Sequence, residues 1–360
     1  MTKILIKGNE AFAEAAIRAG CRHYFGYPIT PQSEVMEYLA RRMPEVGGVF
    51  IQAESEVAAI NMVYGAAATG ARSMTTTSSP GFSLMQEGIS YMAGAELPAV
   101  LVNVMRGGPG VGSIQPAQSD YLQATKGGGN GDYRLLTYAP ATVQEMADIT
   151  MNAWDKAEKY RNPVLILVDG FIGQMMEAVE FKDEPATEPV EHTWAVGIRK
   201  EKRPLRRITS SHMDPADCER HNRHLKAKFD RIRKDEVAWE ELYTEDAEVV
   251  LAAFGVVARV CRAVVERARK EGIKAGLIRP ITVWPFPYRA FRQRVRTAKA
   301  FFVVEMNEGQ MVEDVQMAVG YDAPVYFYGR NGGIVPQPNE VASELQRILA
   351  GGVTPREDRI

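Results

Sequence analysis

The chain has 360 residues, with 43 lysines and arginines against 45 aspartates and glutamates, for a net charge of −2. That balance provides no broad basic field for nucleic acid. No apolar run approaches the ~18 residues of a membrane-spanning helix, and the N-terminus does not read as a signal peptide, so a cytoplasmic protein is expected. Hydrophobic residues make up 46% of the chain, enough for ordinary cores, and the length accommodates two domains and a connection. The three cysteines, Cys21, Cys218 and Cys261, are too widely spaced for a disulfide framework, a zinc pattern or an iron–sulfur pattern.

Residues 1–182 alternate strand and helix patterns, which predicts a mostly parallel sheet with helices on both faces. Lys3 to Ile6 reads as a short strand, and Asn9 as the cap of a helix from Glu10 to Gly20. A second strand around Tyr24 ends in Gly26-Tyr27-Pro28-Ile29-Thr30-Pro31. The two prolines end that strand, and Thr30 is expected to cap a helix that starts at Pro31. A strand end joined to a helix start is where open α/β sheets place ligands, so Thr30 stands at a binding edge.

The next strand, Gly48 to Gln52, leads to Glu54 and Glu56 at the head of a helix of small and apolar residues. Its composition predicts burial on most sides. An acid there suits the helix dipole whether or not it meets a ligand. Ser73 to Thr77 forms a β-branched strand that ends at Ser78-Ser79-Pro80-Gly81, where the serines either cap the following helix, Phe82 to Ala95, or touch a ligand. The strand from Pro98 to Val104 delivers Arg106 to the mouth of a long loop rich in glycine, including Gly107, Gly108, Gly110, Gly112 and Gly127 to Gly129. Loops of this length usually carry function, and no Walker lysine follows, so the loop is expected to cover a site or dock a partner. A helix from Thr142 to Tyr160 and a buried strand from Pro163 to Val168 then reach Asp169-Gly170-Phe171.

Residues 183–245 are charged, from Arg199 to Arg203 and again from Lys226 to Glu236, and read as a helical connector or an arm that contacts another subunit. Cys218, His221 and His224 lie here, but their spacing is no standard metal pattern. Residues 246–360 form a second, smaller α/β unit that opens with the strand Val249 to Phe254 and the turn at Gly255.

The runs Tyr27-Pro28-Ile29-Thr30-Pro31, Glu54-Ser55-Glu56 and Arg106-Gly107-Gly108-Pro109 occur in this order. Together with Leu277-Ile278-Arg279-Pro280 and Glu305-Met306-Asn307-Glu308-Gly309-Gln310, they resemble the alpha, pyrimidine-domain subunit of 2-oxoacid:ferredoxin oxidoreductases. Lys7-Gly8-Asn9-Glu10-Ala11 and Gln123 to Gly129 look most like the branched-chain, 3-methyl-2-oxobutanoate (2-ketoisovalerate) type. The resemblance implies a thiamine diphosphate pyrimidine-binding domain followed by a transketolase C-terminal-like domain. It further implies that Glu56 is the catalytic acid on the aminopyrimidine, with Glu54 as the weaker candidate. Thr30 and Arg106 would bind substrate, and Tyr27, Pro28, Ile29, Thr30 and Glu56 would line the cofactor.

The diphosphate of this cofactor is usually held through Mg²⁺ by a Gly-Asp-Gly motif. Gly131-Asp132-Tyr133 breaks that motif. The resemblance therefore assigns the diphosphate, Mg²⁺ and a [4Fe-4S] cluster to a beta subunit and ferredoxin-like gamma and delta subunits, with coenzyme A and ferredoxin as co-substrates. No metal is expected on this chain. The alternatives are a 2-oxoglutarate-type alpha subunit, another thiamine enzyme linked to NAD or of transketolase type, and a non-catalytic interaction subunit.

Overall fold

The computed structural model describes residues 3–181, 192–196 and 205–356. Strand β1 (Ile4–Lys7) runs into α1 (Gly8–Arg18), β2 (His23–Gly26) into α2 (Ser33–Glu45), and β3 (Val49–Gln52) into α3 (Glu56–Ala68). After β4 (Ser73–Thr77) come α4 (Ser79–Leu84), α5 (Gln86–Gly94) and β5 (Val100–Met105). Short α6 (Tyr121–Thr125) precedes β6 (Leu136–Tyr138), α7 (Val143–Tyr160), β7 (Val164–Asp169), α8 (Gly170–Gln174) and β8 (Met176–Val179). Helix α9 (Pro215–Asp235) and β9 (Trp239–Leu242) lead to β10 (Val249–Ala252), α10 (Gly255–Lys270), β11 (Ala275–Pro280) and β12 (Thr282–Trp284). The chain closes with α11 (Tyr288–Arg294), β13 (Ala300–Glu305), α12 (Met311–Val319), β14 (Val325–Gly329) and α13 (Pro338–Leu349).

Seven strands form the larger sheet in the order β12-β6-β7-β5-β4-β2-β3, parallel except for β12. Five form the smaller, β14-β13-β10-β11-β9, parallel except for β9. Every residue of β5 and β7 is buried, the pattern of central parallel strands covered by helices on both faces. Each fully buried Val, Leu or Ile there contributes about 1.5–3 kcal/mol. The two sheets are not confined to separate stretches of chain. β12, from the second half, pairs with β6, and β9, from the charged segment, pairs with β11.

Several local expectations require correction. The first strand does not join the main sheet but pairs antiparallel with β8 in a ribbon of its own. Asn9 is no cap: α1 begins at Gly8, and the buried Asn9 amide donates to Pro31 O at 2.7 Å and Glu34 Oε2 at 3.0 Å. Thr30 is no cap either, because α2 starts at Ser33 with Gln32 before it and no side-chain cap. The helix expected over 82–95 is broken at Met85 into α4 and α5. Helix α3 buries only one face, through Glu56, Ala59, Ile60, Val63, Ala67 and Ala68, and leaves Val57 and Met62 exposed.

The run Arg199 to Arg203 lies outside the described residues. Helix α9 packs on its own chain. Its His221 Nε2 donates to Gly94 O at 2.7 Å, and His224 Nε2 lies 3.0 Å from Glu96 Oε1. Lys228, also against Glu96, is so buried that its pKa falls to about 8, the Glu96 charge opposing the drop.

The two α/β units meet at Asp169. Its carboxylate accepts from Ile172 N at 3.1 Å within α8 and from Val256 N at 2.8 Å at the head of α10. Gly255 adopts φ +57, and a Cβ there would lie 2.5 Å from Asp169 Oδ2, so only glycine lets the turn approach this closely.

Candidate active site

Four neighbouring parallel strands, in the order β5-β4-β2-β3, present their C-terminal ends along one edge of the larger sheet. Arg106 follows β5 directly, Ser78 to Gly81 follow β4, Tyr27 to Pro31 follow β2, and Glu56 opens the helix after β3. Parallel strands emit all their loops on the same side, so residues up to 80 positions apart in sequence converge.

The turn after β2 is held from beneath. Buried Gln32 donates through Nε2 to Tyr27 O at 3.2 Å, and its Oε1 accepts from Thr76 Oγ1 at 2.6 Å. Asn9 Nδ2 and Gln174 Nε2 both donate to Pro31 O, at 2.7 and 2.8 Å. Thr30 itself is exposed at the edge, as is Pro28, while Tyr27 and Ile29 are half-buried.

Ser55 caps α3, its hydroxyl accepting from Ala58 N at 3.1 Å. A cap of this kind stabilises a helix by about 1 kcal/mol. It also fixes the next residue, Glu56, which is 5% exposed, whereas Glu54 is exposed. The Glu56 carboxylate rests against Gly81: a Cβ built on Gly81 would lie 2.5 Å from Glu56 Oε1 and 2.1 Å from Thr77 Oγ1. No donor among the described residues hydrogen-bonds this carboxylate. Beside it, Thr77 Oγ1 is buried without a partner, as is Ser78 Oγ at the next position in the chain. A nearly buried acid seated on a glycine among orphaned hydroxyls is a site shaped for a polar group that the chain does not supply.

Arg106 is 8% exposed. Its Nη1 donates to Thr30 O at 2.9 Å and its Nη2 to Val111 O at 3.0 Å, while Nε is buried and unpartnered. The structure thus brings Arg106 and the Thr30 backbone into contact. No carboxylate among the described residues pairs with this guanidinium. Its side-chain partners are carbonyl oxygens alone, which leaves the guanidinium without a counter-charge among the described residues. The loop beyond it is ordered: Arg106 bridges to Pro116, Gly107 N donates to Gln115 O at 3.0 Å, and the loop abuts Gly332.

The serines do not cap. Ser78 makes no cap bond, and Ser79 Oγ accepts from Arg106 N at 3.1 Å. Sequence reasoning missed Gln32, Asn103 and Asp120. Only the position of Gln32 directly behind the Pro28–Pro31 turn offered a signal. Among the described residues no group of three or more His, Cys, Asp or Glu is placed to hold a metal ion, and no helix is long and apolar enough to cross a membrane.

The family model described as "Pyruvate flavodoxin/ferredoxin oxidoreductase, thiamine diP-bdg" matches residues 14–239, and "Pyruvate:ferredoxin oxidoreductase core domain II" matches 247–341. The chain belongs to the 2-oxoacid:ferredoxin oxidoreductase family. It is 49% identical over 349 residues to ketoisovalerate oxidoreductase subunit VorB of Methanothermobacter thermautotrophicus, covering 97% of this chain and 98% of that one. It is 36% identical to 2-oxoglutarate synthase subunit KorA of the same organism, covering 95% and 98%.

Among solved structures, 2-oxoglutarate:ferredoxin oxidoreductase from Magnetococcus marinus, with 2-oxoglutarate, coenzyme A and succinyl-CoA bound, superimposes with a TM-score of 0.84 at 27% identity. The match covers 96% of this chain and 65% of that one. A split-gene transketolase shares the fold at a TM-score of 0.59 and 15% identity, over 96% of this chain and 98% of that one. The family is an oxidoreductase family, and the larger unit is its thiamine diphosphate-binding domain.

Proposed function

We propose that this chain is the alpha-type subunit of a branched-chain 2-oxoacid:ferredoxin oxidoreductase. The enzyme oxidatively decarboxylates 3-methyl-2-oxobutanoate to its acyl-CoA and CO2, with electrons passing to ferredoxin. The carrying observation is that an unpartnered, nearly buried Glu56 and an un-neutralised Arg106 stand on loops of one and the same sheet edge. The substrate follows the 49% identical ketoisovalerate relative rather than the 36% identical 2-oxoglutarate one.

Glu56 would hydrogen-bond the pyrimidine ring of the cofactor through its carboxyl, and the orphaned Thr77 and Ser78 hydroxyls are polar groups that fit such a ring. Thiamine diphosphate, when bound, would supply the nucleophile and the electron sink for decarboxylating a 2-oxoacid. Tyr27, Pro28, Ile29 and Thr30 form the wall of the site, and the exposed Thr30 meets the substrate or the cofactor face. Arg106 holds the carboxylate of the 2-oxoacid and orients it. Because that carboxylate leaves as CO2, Arg106 acts mainly in binding. Domain limits of 1–182, 183–245 and 246–360 describe the chain on this reading, and the enzyme works in the cytoplasm.

The diphosphate, its Mg²⁺ and the [4Fe-4S] cluster belong to a beta subunit, with gamma and delta ferredoxin-like subunits beside it. Two observations support that division. Burial raises the Cys21 thiol to about 12 and pushes Cys261 up as well, which leaves both as poor ligands. The exposed Val57 and Met62 on α3, with Val49 and Ile51 on edge strand β3, form an apolar margin next to Glu56 that suits a docked chain.

The test is purification with the partner subunits, followed by ferredoxin reduction over a panel of 2-oxoacids. Branched-chain acids should be preferred, and Glu56→Gln should lower turnover by about 10²–10⁴-fold. Wild-type turnover by that variant removes the catalytic claim.

A further inference from the structure

A second carboxylate lies near Arg106 and is linked to it through one serine. Asp120, just before α6, is half-buried, and its Oδ2 accepts from Ser79 Oγ at 2.6 Å and from Asn103 Nδ2 at 2.8 Å. Asn103 belongs to β5 and stands in register with Thr77 of β4. Ser79 opens α4. Its hydroxyl oxygen accepts from Arg106 N at 3.1 Å and lies 3.2 Å from Arg106 O. Two residues further along α4 is Gly81, on which the Glu56 carboxylate rests.

A serine hydroxyl has one proton and a free rotor. Left alone it could turn that proton toward Arg106 O and present no fixed lone pair to Arg106 N. Donation to a carboxylate, a short charge-assisted bond, sets the rotor in one position. The Arg106 backbone is then held at its root by Ser79 while its guanidinium is held at the tip by Thr30 O and Val111 O. Keeping a carboxylate here has a cost: burial raises the Asp120 pKa, against the Ser79 and Asn103 hydrogen bonds, and no cation among the described residues pairs with it. A neutral acceptor would escape that desolvation, so the charge is retained for the geometry it enforces.

We infer that Asp120 is a positioning residue that acts through Ser79 to fix Arg106, and so sets how tightly the site holds a substrate carboxylate. This rests on the proposed role of Arg106 as the carboxylate ligand. Asp120 touches no reactant and is not a catalytic residue.

The experiment uses the assembled complex with wild type, Asp120→Ala and Ser79→Ala, and reads KM and kcat for the 2-oxoacid separately. KM should rise about tenfold in both variants while kcat changes by no more than about threefold. A merely structural role would lower thermal stability and leave KM in place, so KM within about twofold of wild type in a folded variant overturns the inference. A second measurement does not depend on turnover: amide exchange at Arg106 in the complex should quicken about tenfold in both variants. Unchanged exchange there also overturns it. If the wild-type complex oxidises no 2-oxoacid, the proposed function fails, and the exchange rates alone decide the role of Asp120.

Discussion

Gly81→Ala is the sharpest probe of the site, because the added methyl would enter the seat of the Glu56 carboxyl. The new Cβ would lie 2.5 Å from Glu56 Oε1, 2.7 Å from Glu56 Cγ and 2.1 Å from Thr77 Oγ1. Ordinary contact begins near 3.4 Å, so Oε1 must retreat by about 0.9 Å, the difference between 3.4 and 2.5. Thr77 Oγ1, the nearest atom at 2.1 Å, belongs to a buried strand residue and gives way less easily, so overpacking here costs about 1–3 kcal/mol of stability. Only the carboxylate tip moves cheaply. Function has no such relief. A displacement near 1 Å at a positioned catalytic group costs about 10²-fold in rate. The assay is kcat of the assembled complex by ferredoxin reduction, beside thermal melting of the same sample. The expected pattern is a kcat down roughly 10²-fold with KM for the 2-oxoacid nearly unchanged. A folded variant whose kcat stays within about twofold of wild type refutes the reasoning, since Glu56 could then not depend on the space Gly81 leaves.

Other outcomes follow from the same geometry. Arg106→Lys cannot bond Thr30 O and Val111 O at once while facing a carboxylate, so KM for the 2-oxoacid should rise about 10–100-fold with a smaller change in kcat; a KM within about twofold would count against the carboxylate role. Asp169→Asn places an amide NH2 where a carboxylate accepts from both Ile172 N and Val256 N, and should cost about 1–3 kcal/mol in melting experiments. Burial raises the Asp169 pKa from 3.8 to about 6, against the hydrogen bonds from Val256 and Ile172, so its contribution is full below pH 4 and is lost as pH rises through 6. The advantage of wild type over Asp169→Asn should therefore shrink between pH 4 and 7, by up to about 3 kcal/mol; an advantage that grows with pH would contradict the assignment.

The alternation of strand and helix, and the arrival of Thr30, Glu56 and Arg106 at strand ends along one sheet edge, were legible because both depend on local signals in chain order. Prolines stop strands, and parallel strands emit their loops on one side. What was not legible depends on partners remote in sequence. Asn9 looked like a cap because Asn caps helices, but its amide is taken by Pro31 and Glu34, more than 20 residues away. The cap assigned to Thr30 failed because Gln32, tied to Thr76, holds the turn apart from the helix. Helix α3 read as buried because apolar composition does not distinguish a core from an interface, and Val57 and Met62 lie on the uncovered face. Asp120 gave no signal at all, since its role exists only once Ser79 and Asn103 lie beside it.

Strand β12 reaches from the second half of the chain to the open side of β6, while Ala139 N donates to Ile281 O at 2.8 Å and Trp284 packs edge-on against Phe229. Arg279 closes the same seam, bonding Glu145 at 2.8 and 2.9 Å and Glu240 at 2.9 Å. A gene cut between the two family matches would therefore not release two self-sufficient pieces. The upstream fragment would keep a bare strand margin inviting aggregation, and the downstream one would carry a dangling ribbon with nothing to pair. The intact polypeptide should melt in one step, its halves stitched by a borrowed strand.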